Sequence, residues 1–201
     1  RMITDLIMKG SQALDDAEVF RIDRSKYLNA SSQSSCIRKQ WYERKLGVPE
    51  QDWGYARRGK QGELYVVDAL IASGAMVYAV GGDQVSIVDE DTRISATPDG
   101  YIQIDEVLYG LEIKTIDPRT NRKKLPKPAH VEQLQVAMEV SHRSGEYLPV
   151  AGKLIYMDAS NYNDLLEFDV PRDLGILDRL APRAKRMLNA KTPSKLDREG
   201  K

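Results

Sequence analysis

The chain is short of cysteine, of aromatic residues, of net charge and of long apolar runs, and these shortages narrow the possible functions. Cys36 is the only cysteine in 201 residues. One thiol forms no internal disulfide, and it cannot supply the several thiolates of a zinc or iron–sulfur centre. Such cysteine usage fits a reducing cytoplasm. The most apolar stretch, 64–80, is broken by Asp68, Ser73 and Gly74, so no membrane span is expected. No signal-peptide pattern is visible near Arg1. Lysine and arginine number 30, and so do aspartate and glutamate. That balance speaks against a uniformly basic nucleic-acid binder but leaves local basic patches open. There is no GxxxxGK[ST] phosphate loop, which argues against an ATP-driven motor. The only histidines are His130 and His142, and no Ser/His/Asp set is readable.

What is present reads as an α/β pattern. Residues 2–20 suggest a helical lead-in. Residues 31–46 suggest a second helix, capped by serines and stopped by Gly47 and Pro49. From Lys60 to Ser73, apolar residues at Val67, Leu70 and Ile71 have helical spacing, and Gly74 ends the run. Short β-like runs follow at Met76–Val80, Gln84–Val88 and Arg93–Ala96, then a hairpin over Asp99–Ile116. A helix over Ala129–Ser144 precedes two strands, Lys153–Asp158 and Leu165–Val170. Leu174, Leu177, Ala181, Ala184 and Leu188 mark a last amphipathic helix, with Pro182 as an expected kink. The polar tail beyond Lys191 is expected to fray.

The hairpin carries the chemistry. If Asp105 and Glu106 form a two-residue turn, Ile104 faces Val107, and counting outward Asp99 faces Glu112. In this register Ile102, Ile104, Val107, Tyr109, Leu111 and Ile113 share one face, the expected core face. Asp99, Glu112 and Lys114 share the other. Opposed side chains lie about 4.5–5.5 Å apart at Cβ, and like charges there destabilise a sheet. A divalent cation removes the conflict, and Mg²⁺ typically takes one or two carboxylates and keeps several waters. The Ile113 carbonyl lies between Glu112 and Lys114 and is a further candidate ligand. Lys114 can orient or deprotonate an attacking water, or stabilise charge on a phosphate. Glu63 sits at the end of the stripe Val67, Leu70 and Ile71, where a carboxylate is costly unless partnered. It is a candidate ligand, direct or through water. Gly59 and Gly62 beside it permit close backbone approach.

These motifs resemble, in order, those of the PD-(D/E)XK nuclease superfamily, in its RecB-like and phage exonuclease group. RRGKQGE with Glu63 resembles the first motif, ATPDG with Asp99 the second, and LEIKT with Glu112 and Lys114 the third. HVEQLQVAM resembles the helix motif whose glutamine contacts site or substrate; Gln133 is the better match and Gln135 the second. SSCIRKQWYERKLG resembles the opening helix of phage and CRISPR-associated exonucleases. The resemblance covers roughly residues 30 to 160. It implies a restriction-endonuclease-like mixed central sheet flanked by helices. Two departures stand out. Relatives with an iron–sulfur cluster place a cysteine where Cys36 stands and three more near the C-terminus; those three are missing, so no cluster is expected. Ala137 stands where many relatives carry a tyrosine.

The expectation is a single nuclease domain over 1–201, with a helical lead-in over 1–50, a core over 55–170 and a C-terminal helix and tail over 171–201. The resemblance implies a cytoplasmic Mg²⁺- or Mn²⁺-dependent DNA exonuclease of phage or bacterial recombination, repair or degradation. Its substrate would be single-stranded or have a free end, and a recombination partner protein is possible. A structure-specific endonuclease and a catalytically silent DNA-binding module are the alternatives. Phosphate contacts are sought in 117–130, where Arg119, Arg122, Lys123, Lys124 and Lys127 outnumber one acidic residue. Arg57 and Arg58 precede Glu63. Arg38 lies near Trp41 and Tyr42, which form either a stacking surface or helix packing. His130 either lines the cleft or serves as a cap or surface residue.

Overall fold

A computed structural model describes residues 2–16, 25–47 and 54–196. Its centre is the hairpin. Strand β5 (Gly100–Ile104) pairs antiparallel with β6 (Val107–Ile116), Ile104 opposite Val107 and Gly100 opposite Leu111. Asp105 and Glu106 both have positive φ, 49° and 66°, as a two-residue type I′ turn requires. The register is the one that places Asp99 across from Glu112.

β6 also pairs in parallel with β7 (Ala151–Asp158), which pairs antiparallel with β8 (Asn161–Pro171). Parallel strands need a crossover, and α4 (Pro128–Ser144) lies on it. With β2 (Met76–Tyr78) beside β5, the order of the five-stranded sheet is β2-β5-β6-β7-β8. A second sheet of three short strands has β4 (Ile94–Ala96) between β1 (Leu28–Asn29) and β3 (Ile87–Asp89).

Both faces of the large sheet are covered, which corrects the expectation of a single core face. Helix α3 (Gly54–Ala72) packs Val66 and Val67 on Leu111, Ile113 and Met157. On the other face, Leu134 and Met138 of α4 pack on Ile116, Leu154, Tyr156 and Val170. Glu112 therefore lies beneath a helix, because a central strand with a parallel neighbour is buried on both sides. The opposite side of α4, with Val136, Ala137 and Val140, joins the small sheet, Ile37 of α2 (Ile37–Leu46) and Leu177, Ala184 and Met187 of α5 (Ile176–Asn189). Apolar residues on two sides of the helix explain why α4 sits between these two packing layers.

Several boundaries differ from expectation. The serines do not cap α2: Ala30–Ser32 form a separate 3₁₀ turn capped by Asn29, and α2 begins after Cys36 without a side-chain cap. α3 starts at Gly54, earlier than its apolar stripe. Leu174 is exposed; Ile176 and Met187 fill the stripe instead, and α5 runs on through Pro182. The described part of the tail, 192–196, docks, since Pro193–Lys195 form a 3₁₀ turn and Leu196 is buried in the core, while 197–201 lie outside the described residues. The lead-in helix α1 (Met2–Asp16) leaves Ile3, Leu6, Ile7 and Met8 exposed. Residues 17–20, Pro49 and Trp53 lie outside the described residues. Among the described residues, no helix is long and apolar enough to cross a membrane.

Gly62 and Gly59 separate two roles of glycine on one helix. A Cβ at Gly62 would run into Thr115 Oγ1 and Met157 Cε on the sheet, whereas one at Gly59 would meet nothing within 4 Å. Gly59→Ala should gain about 0.5–1 kcal/mol from helix propensity. Gly62→Ala should lose about 1–3 kcal/mol from overpacking. Denaturant unfolding checks both; equal shifts would mean that α3 does not lie this close to the sheet.

Candidate active site

β6 sends Glu112 and Lys114 to the same side, two residues apart. Glu112 is fully buried. Its Oε1 accepts from Lys114 Nζ and from Gln133 Nε2, the latter at 2.6 Å. Its Oε2 is buried and has no hydrogen-bond partner among the described residues. Asp99, just before β5, accepts the Ile113 N–H at 2.7 Å, a bond that ties the open end of the hairpin to β6. Glu63, on α3, accepts from Gln84 Nε2 at 2.7 Å. Gln135 instead donates to the Pro171 carbonyl, so Gln133 is the glutamine of α4 that reaches the carboxylates. Ala137 faces the core.

The electrostatics follow from crowding. Burial, then the Asp99 charge, pushes the Glu112 carboxyl up to about 8. The same two causes push Glu63 up to about 7. Asp99 is raised as well, by burial, with Lys114 and the Ile113 N–H working against it. Burial pulls the Lys114 ammonium down, but Glu112, Asp99 and Glu63 outweigh it and leave it raised. One lysine thus serves several carboxylates in a low-dielectric site.

Among the described residues, no group of three or more His, Cys, Asp or Glu side chains is arranged as a ready metal-binding cluster. Glu112 Oε1 is taken by Lys114 and Gln133, and Glu63 is turned to Gln84. The donor set nevertheless fits Mg²⁺ or Mn²⁺, because such an ion needs only one or two hard carboxylates beside its waters. Asp99 and the orphaned Glu112 Oε2 provide them.

The expected phosphate contacts lie on several elements. Lys123, Lys124 and Lys127 are exposed on the segment between β6 and α4. Arg119, also exposed, is paired with Asp117 at 2.9 Å. Arg122 bridges Asp158 at 3.0 Å and Asp164 at 2.5 Å, so two carboxylates offset its charge. Arg57 and Arg58 are half-buried near the start of α3, Arg58 over the Tyr55 ring at 5.2 Å. Arg38 is half-buried on α2. Trp41 packs against the core and donates to the Ala190 carbonyl at 2.8 Å, which makes it helix packing. Two neighbours of the site escaped sequence reasoning. Gln84 carries no pattern that points to Glu63. Tyr156 becomes a neighbour only through the β6–β7 register, which sets it beside Lys114.

No family model matches the chain, and no curated protein matches it in sequence. Solved structures do. The protein SSO0001 is 20% identical, with a TM-score of 0.63, over 95% of this chain and 89% of its own. An alkaline exonuclease from Laribacter hongkongensis, LHK-Exo, is 19% identical, with a TM-score of 0.54, over 82% of this chain and 85% of its own. LHK-Exo in complex with dAMP is 18% identical, with a TM-score of 0.59, over 82% and 87%. At such identities the likeness defines the fold: this chain has a nuclease-like mixed α/β fold.

The raised carboxyls predict how the metal-free protein responds to pH. At Glu112 and Glu63 the folded state binds more protons than the unfolded one between about 4.5 and about 8, which outweighs the single proton that His130, pulled down to about 4, gives up. Stability is then fullest below the unfolded carboxyl pKa and falls as pH rises through the folded values. Melting in chelator should therefore show a falling Tm from about pH 5 to about pH 8. Added Mg²⁺ should raise Tm most at the upper end. A flat chelator profile would contradict the crowding of Glu63, Asp99 and Glu112.

Proposed function

We propose that this protein is a metal-dependent DNA nuclease of the PD-(D/E)XK type, acting as an exonuclease. The observation that carries this reading is the buried Glu112, its Oε2 unpartnered, held by Lys114 and Gln133 beside Asp99. A carboxylate so placed is costly for folding alone and useful for holding a cation. The likeness in fold to an alkaline exonuclease, solved also with dAMP, favours DNA as substrate.

In this reading Asp99 and Glu112 hold Mg²⁺ or Mn²⁺, assisted by Glu63 and the Ile113 carbonyl. The ion supplies Lewis-acid stabilisation of the charge that builds on the scissile phosphate. Lys114 orients the attacking water and takes up or shields charge as the P–O bond breaks. Gln133 keeps Glu112 turned to the site through their 2.6 Å hydrogen bond. Lys123, Lys124 and Lys127, with Arg57, Arg58 and Arg119, guide the strand by its phosphates; Arg38, and Arg122 once released from Asp158 and Asp164, are further candidates for the same task. A substrate that is single-stranded or has a free end, and a role in phage or bacterial DNA recombination, repair or degradation beside a partner protein in the cytoplasm, complete the reading.

The test is digestion of end-labelled linear DNA beside a closed circle, in Mg²⁺ and in chelator. Linear DNA should disappear in Mg²⁺ alone while the circle survives. Nicking of the circle would mean an endonuclease, and no cleavage would leave a silent DNA-binding module. Asp99→Ala and Lys114→Ala should each slow cleavage by roughly a hundredfold or more; near-normal rates in either would overturn the site assignment.

The exposed lysines generate a separate expectation. Binding measured in Ca²⁺, which commonly supports binding without turnover at such sites, should weaken at low salt in Lys123→Ala with Lys124→Ala. The slope of log affinity against log salt should flatten by about 0.7 per lost contact on single strands, or about 0.9 on duplex. An unchanged slope would route the strand past Arg57, Arg58 and Arg38 instead.

A further inference from the structure

His130 stands in the first turn of α4, one turn before Gln133, so the two side chains share the side of the helix that faces Glu112. Its Nδ1 lies 2.9 Å from Tyr156 Oη, with the two rings 5.6 Å apart. Tyr156 is fully buried, and the β6–β7 register sets it directly beside Lys114. The Lys127 backbone N–H donates to the same Oη at 3.0 Å.

Counting protons selects the tautomer in which the Tyr156 donor is used. Tyr156 Oη accepts from Lys127 and has one proton to give. Among the described residues, its only acceptor is His130 Nδ1. Only with Nδ1 as acceptor does that proton find a partner, which places the ring proton of neutral His130 on Nε2. That N–H has no protein partner among the described residues, and it is not an enclosed atom. Burial, with the Lys114 and Lys127 charges adding to it, pulls the imidazole down to about 4, so His130 is neutral at ordinary pH.

We propose that His130 is a substrate-binding residue of this site, offering a neutral Nε2–H to a phosphate oxygen of the DNA strand, with Tyr156 as the positioning residue that fixes its tautomer. The proposal rests on the nuclease reading and deepens it. A lone donor on a ring that feels the Lys114 and Lys127 charges suits an anionic oxygen. A neutral donor adds a hydrogen bond there without adding a third positive charge that would repel Lys114. The Lys127 N–H and the Tyr156 hydroxyl form a relay that holds the ring before substrate arrives, the kind of support that precise positioning needs.

Two measurements on the full chain test this. Nitrogen-15 NMR of the wild-type imidazoles at pH 7 should show His130 neutral and protonated on Nε2. An Nδ1–H tautomer or an imidazolium would overturn the proposal without any variant being made. Then His130→Ala and His130→Gln are compared with wild type on one oligonucleotide, for affinity in Ca²⁺ and for kcat and KM in Mg²⁺. Alanine should weaken binding and kcat/KM by roughly tenfold or more, the scale of a hydrogen bond to a charged group. Most of that loss should lie in KM. Glutamine, which keeps an N–H, should recover much of it, and metal affinity should stay unchanged in both. If wild type cleaves DNA and His130→Ala matches it, this proposal falls and the nuclease reading stands. If wild type neither binds nor cleaves DNA, both fall.

Discussion

A buried carboxylate with too few partners is the constraint around which this molecule is arranged. Glu112 lies on the central strand, beneath α4, with one oxygen held by Lys114 and Gln133 and the other left bare. Folding alone would select an apolar residue there, since its register partner Leu154 on β7 and Ile116 on the same face of β6 are buried and apolar. Retaining glutamate costs stability, and Asp99 and Glu63 nearby increase that cost. Sites that do chemistry are where such costs are kept.

The surrounding fold serves to hold that cluster. The turn at Asp105 and Glu106 sets the hairpin register, which brings Asp99 to the Ile113 N–H. The close seat of α3 at Gly62 brings Glu63 in from the other face. α4, packed on two sides, presents Gln133 and His130 at its first turns, where Glu112 and Tyr156 meet them. Three elements separated in sequence thus supply one polar site inside two apolar packing layers.

How far the sequence discloses this varies by residue. Hairpin alternation and a two-residue turn suffice for the register of Asp99, Glu112 and Lys114, because strand pairing repeats every two residues and leaves little freedom. The choice of Gln133 over Gln135 came from motif resemblance, and its contact with Glu112 needed the tertiary packing of α4. Tyr156 and Gln84 gave no local signal, since their roles depend on a parallel pairing and on a loop conformation. The burial of the Glu112 face was missed because alternation on β6 marks one face as apolar, and a helix nonetheless covers the other. The docked tail was missed for a related reason: Leu196 is one apolar residue in a polar run, and only the groove beside α2 gives it a partner.

The most direct test of the central claim is a crystal structure of the protein soaked in Mn²⁺, with anomalous scattering used to locate the ion. The account predicts an anomalous peak between the Asp99 carboxylate and Glu112 Oε2, the oxygen that lacks a protein partner. Lys114 should remain close enough to act on a water beside the ion. A crystal that binds Mn²⁺ elsewhere, or nowhere, with Glu112 still held only by Lys114 and Gln133, would contradict it.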